Sequence, residues 1–85
     1  MDVVLVKKYS RDISGIVTFG NHLREVRKKL GYSQEELANR ADVELSQISR
    51  IERGVINTSL SQILQIAQAL NIHPKELFDY PIDVE

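Results

Sequence analysis

The sequence predicts an all-α domain of five short helices, preceded by a short N-terminal arm or strand. Apolar residues recur at three- and four-residue spacings from about Thr18 to Leu70, the period of one helix face. Residues suited to left-handed or terminating backbone punctuate that pattern at Gly31, Asp42, Gly54 and Asn71. No sheet pattern is legible over residues 18–80.

The first helix carries Phe19, Leu23, Val26 and Leu30 on one stripe, and Gly31 ends it. Ser33-Gln34-Glu35-Glu36 has capping-box spacing, so the second helix starts there. Its inward residues are Leu37, Ala38 and Ala41; Asp42 makes the turn and Val43 plugs the core. The third helix runs from about Leu45 to Arg53, held by Ile48 and Ile51 and stopped by Gly54. After a loop at Val55-Ile56-Asn57-Thr58, Leu60, Ile63, Leu64, Ala67 and Leu70 mark the buried stripe of a fourth helix that ends at Asn71. Pro74 suits the first position of a short fifth helix reaching about Phe78. Residues 1–15 mix Val3-Val4-Leu5-Val6 with Lys7, Lys8, Tyr9 and Arg11, the expected arm or added strand.

The chain has 85 residues, one small domain whose modest core would gain from pairing with a second copy. With 42% hydrophobic and 27% charged residues it reads as globular, and Val3–Val6 is far too short for a membrane span or signal-peptide core. There is no cysteine, hence no disulfide or thiolate metal site. A cytoplasmic location is expected. The net charge is −1, but its distribution is uneven. Residues 1–53 hold ten Lys/Arg against eight Asp/Glu, and residues 54–85 hold one against four. A basic front and an acidic back suit one nucleic-acid face and one partner face.

Two short helices joined by a tight turn, with small residues at the crossing, have helix-turn-helix character. On the third helix Ile48 and Ile51 turn inward, leaving Ser46, Gln47, Ser49, Arg50 and Arg53 outward. A helix fits the major groove, where Arg50 can pair with guanine and Gln47 with adenine, while Ser46 or Ser49 can reach a base or a phosphate. The competing reading is an ordinary solvated helix face.

Enzymatic readings find little. His22, on the polar side of the first helix, and His73, before Pro74, sit on different elements with no carboxylate cluster at metal-ligand spacing. Gly15 and Gly20 belong to no phosphate-binding loop, and no serine has a base at motif spacing. No catalytic residue, metal or cofactor is expected.

Residues 19–79 resemble the lambda-repressor/Cro-like (XRE) helix-turn-helix family. The resemblance rests on Phe19 to Arg27, on Leu30-Gly31-Tyr32-Ser33-Gln34-Glu35-Glu36-Leu37-Ala38, and on Ile48-Ser49-Arg50-Ile51-Glu52-Arg53-Gly54. Ser59-Leu60 and Ala67-Gln68-Ala69-Leu70 follow at the family's distances. It implies a lambda-repressor-like bundle, with residues 16–80 as the DNA-binding domain and residues 81–85 as a tail. It further implies a small transcriptional regulator that binds double-stranded DNA as a homodimer on a palindromic operator. The helix from Leu45 would be the recognition helix. By resemblance Gln34 and its helix start meet the DNA backbone. Leu45, Ser46, Gln47 and Arg50 take base-reading positions, Leu45 as an apolar contact to a thymine methyl. Arg53 and Asn57 take phosphate positions, and Arg27 and Glu52 form an internal salt bridge.

The chain departs from the pattern at Asp42, at Glu44 where Ser or Thr caps, at Val55 and Ile56 where Lys or Arg is frequent, and at Thr58 where proline is frequent. A protein-binding module of the same fold, antitoxin-like or controller-like, is the alternative function. The expected pairing surface is Leu77, Phe78, Tyr80 and Ile82, with Ile56 and Ile66 if exposed; for Leu77 and Phe78 closing the core is the preferred role.

Overall fold

The computed structural model describes residues 12–81. Four α-helices follow one another: α1 (Ile13–Lys29), α2 (Gln34–Ala41), α3 (Leu45–Glu52) and α4 (Leu60–Ala69). A 3-10 helix over Pro74–Phe78 comes last, and no strand occurs among the described residues. The all-α class is as expected, with the fifth helix in 3-10 form. Residues 1–11 of the expected arm, including Val3–Val6, and residues 82–85, including Ile82, lie outside the described residues.

Helix ends follow local chemistry. Ser33 Oγ accepts the Glu36 amide at 3.0 Å, and Glu36 accepts the Ser33 amide at 2.8 Å, the expected capping box. That backbone bond holds the Glu36 carboxyl below its ordinary range. Left-handed residues lie just past or at the end of all four α-helices: Gly31, Asp42, Gly54 and Asn71, with φ of 87°, 57°, 71° and 58°. His73 caps the 3-10 helix through Nδ1, which accepts the Lys75 amide at 3.1 Å.

The first helix starts at Ile13 rather than near Thr18, so residues 13–15 of the expected arm are helical. Asp12 Oδ1 accepts the Gly15 amide at 2.8 Å, a cap that organises the added turn although its residues bury little. His22 is half-buried and not simply solvated. Its Nε2 donates to the Glu76 carbonyl at 2.8 Å, and its ring packs on Tyr80.

Every element contributes to one core. Leu23, Leu37, Ile48, Ile51, Ile66 and Leu77 are the largest fully buried side chains. Each is worth on the order of 1.5–3 kcal/mol of burial. α1 packs on α3 and the 3-10 helix, α2 on α3 and α4, and α4 on the 3-10 helix. α3 is thus clamped between α1 and α2.

Several apolar assignments change. Leu60 and Leu64, expected in the α4 stripe, are 69% and 46% exposed, whereas Ile66 is fully buried and offers no surface. At about 100° per residue, the arc through Ile63, Ile66 and Leu70 faces the core and leaves Leu60 and Leu64 on its flank. Leu77 closes the core as expected, but Phe78 is exposed, its ring 5.1 Å from that of Phe19. Leu30 also ends exposed, because it is the C-cap of α1 and lies beyond the last packed turn.

Candidate nucleic-acid interface

α3 divides into an anchored side and an open side. Ile48 and Ile51 are buried, and Val43, half-buried, packs against the same cluster. Glu52 closes the helix from within. Its two carboxylate oxygens accept Arg27 Nε at 2.6 Å and Arg27 Nη2 at 2.9 Å. Gln34 Nε2 donates to Glu52 Oε1 at 2.9 Å, and Arg27 Nη1 donates to the Tyr32 carbonyl at 2.8 Å. The Arg27–Glu52 ion pair that the family resemblance implies is present as a buried, two-pronged contact joining α1 to α3.

Leu45, Ser46, Arg50, Arg53 and Asn57 are exposed. Ser49 is half-buried, and its hydroxyl accepts Arg53 Nε at 3.3 Å. Gln47 is half-buried, and Gln34, bonded to Glu52, is tied to the interior pair rather than standing free. The structure thus brings Leu45, Ser46, Gln47 and Arg50 to one surface of α3. Glu35, Glu44, Ser46, Gln47, Arg50 and Gln62 line the open cleft beside that surface, between α2, α3 and α4. Glu44 is the N-cap of α3 but makes no side-chain capping bond. Its carboxylate stands at the positive end of the helix and at the rim of the cleft.

Two site residues escaped the sequence reading. Gln62 Oε1 accepts Gln47 Nε2 at 3.0 Å and the Thr58 hydroxyl at 2.7 Å, so a polar chain runs from the loop through α4 to α3. The available signal was Ser59-x-x-Gln62, a helix-start pattern that places Gln62 in the first turn of α4. Ser59 does cap, its Oγ accepting the Gln62 amide at 3.1 Å, but the Gln62 side chain turns toward α3 instead of back to Ser59. Among the described residues no cluster of His, Cys, Asp or Glu could hold a metal ion, and no helix is long and apolar enough to cross a membrane.

Residues 23–77 match the family model described as "Helix-turn-helix". The chain is 44% identical over 63 residues to control protein C.BamHI of Bacillus amyloliquefaciens, covering 73% of this chain and 78% of that protein. It is 39% identical over 56 residues to an HTH-type transcriptional regulator of Archaeoglobus fulgidus, covering 66% and 80%. The crystal structure of the restriction-modification controller protein C.AhdI from Aeromonas hydrophila superposes with a TM-score of 0.75 at 46% identity, covering 76% of this chain and 98% of that one.

Proposed function

The chain belongs to the helix-turn-helix family and is a DNA-binding regulator; from that premise we propose that α3 lies in the major groove and reads bases through Leu45, Ser46, Gln47 and Arg50. The carrying observation is the division of α3 itself. Ile48 and Ile51 fix its inner side while Leu45, Ser46 and Arg50 stand open on the other. Arg50 offers a planar fork to guanine N7 and O6, Gln47 offers an amide to adenine, and Leu45 meets a thymine methyl. Arg53 and Asn57 sit past the helix as phosphate contacts, and Ser49 contributes through its bond to Arg53. The first turn of α2, with Gln34, supplies backbone donors to phosphate.

Selection from random duplex DNA tests this reading, and a recovered motif is expected. Within that motif Arg50→Ala relaxes preference at one base pair per half-site, at a cost of about 1–3 kcal/mol, while Arg53→Ala weakens all sequences alike and lowers the salt slope by about one. An unchanged base preference in Arg50→Ala would remove α3 as the reading helix. Absence of any enriched sequence would leave the protein-binding module as the surviving alternative.

The same proposal includes a homodimer on a palindromic operator, placing two copies of α3 about 34 Å apart. Exposure of two leucines one turn apart on α4 supports a second copy on that flank, because large apolar side chains in water favour burial. The stripe faces away from Gln62, so pairing there leaves the α3 surface free. Changing both Leu60 and Leu64 to Glu is expected to give a helical monomer by sedimentation, with weakened binding to the full palindrome. A dimer unaffected by both changes would place the pairing surface elsewhere.

A further inference from the structure

We propose that Gln62 is a positioning residue for base recognition, holding the Gln47 carboxamide in the one orientation that reads adenine. The proposal rests on the DNA-reading role of α3 stated above. It is carried by two hydrogen bonds converging on one oxygen. Gln62 Oε1 accepts both the Thr58 hydroxyl at 2.7 Å and Gln47 Nε2 at 3.0 Å. With Gln62 Oε1 receiving both donors, the Gln62 amide presents its oxygen to α3, and Gln47 turns its own nitrogen toward it. Gln47 keeps one N–H and its carbonyl oxygen, the donor and acceptor that adenine N7 and N6–H require.

A free glutamine on a helix surface has several rotatable bonds and two amide orientations, and ordering it on DNA costs conformational entropy. Gln47 is half-buried and already bonded, so part of that ordering is complete before DNA arrives. The bonds also span elements. Thr58 lies in the loop before α4, Gln62 in the first turn of α4 and Gln47 in α3. The chain therefore locks the reading side chain to the framework.

The test is binding selection from random duplex DNA with the full chain as wild type, Gln47→Ala, Gln62→Leu, Gln62→Glu and Thr58→Val, with thermal unfolding of each. Gln47→Ala is expected to flatten preference at one base pair per half-site. Gln62→Leu should lower preference at that same base pair on the order of 5-fold, leaving other positions of the motif unchanged. Thr58→Val should do so more weakly. Gln62→Glu keeps an oxygen that accepts both donors, so it should restore the preference even as added negative charge weakens overall affinity. A merely structural role for Gln62 would lower affinity evenly without touching one position. If Gln47→Ala flattens the base pair while Gln62→Leu selects the wild-type motif, the positioning role is overturned and base reading by α3 stands. If Gln47→Ala leaves the motif intact, or the wild type enriches nothing, the positioning role falls with the reading it serves.

Discussion

Replacing Arg27 with Met is expected to lower the unfolding free energy by about 3–5 kcal/mol, because it strands a buried carboxylate. Arg27 and Glu52 are only 6% and 3% exposed. The guanidinium supplies two of the three side-chain donors that meet Glu52, and a third prong to the Tyr32 carbonyl. Met fills the volume of the stem but leaves Glu52 with the Gln34 amide alone. A domain of this size has about 5–15 kcal/mol in total, so the loss consumes a large share. Denaturant midpoints read the effect. The double change Arg27→Met with Glu52→Leu should recover much of it, since an apolar pair in the same space has no charge to desolvate. A single variant with an unmoved midpoint would contradict burial of the pair. If α3 reads DNA as proposed, the consequence reaches binding as well, because Glu52 is the last residue of α3 and the pair fixes where that helix ends against α1.

Gly20→Ala is the second large effect, and it runs against helix propensity. Gly20 lies within α1, where alanine would ordinarily be favoured by about 1 kcal/mol. A Cβ there would stand 2.2 Å from the Ile51 carbonyl oxygen and 2.9 Å from that of Glu52. Both are backbone atoms at the end of α3, so no rotamer change relieves the clash and α1 must back away. A net loss of about 3 kcal/mol is expected, the upper range for overpacking. Gly31→Ala is the control. Its φ of 87° makes a Cβ unfavourable, but the space is open, so the cost should be about 1–2 kcal/mol. Equal or greater thermal stability for Gly20→Ala would show that α1 and α3 do not cross this closely.

Helix boundaries governed by chemistry within four residues were readable in one dimension. The Ser33–Glu36 capping box, the turn at Asp42, the stops at Gly31, Gly54 and Asn71 and the helix start at Pro74 all occur where the residues implied them. The start of α1 was missed, although Ile13, Ile16 and Val17 have helical spacing, because Ser14 and Gly15 are weak helix formers and the turn depends on one aspartate cap. For the interface, the inward isoleucines and outward polar residues of α3 followed from helical periodicity. Pairing of Arg27 with Glu52, 25 residues apart, was reached only through resemblance to a known family. No local spacing encodes it.

The sequence by itself determined the helices, their ends and which side of α3 carries Ser46, Gln47 and Arg50, because caps, turns and periodicity act over a few neighbouring residues. Tertiary structure alone decided that Leu60 and Leu64 face outward while Ile66 is buried, that Gly20 lets two backbones touch and that Gln62 grips Gln47. These depend on the rotation and distance of one helix against another, which are set by packing the whole core at once and are written in no single segment.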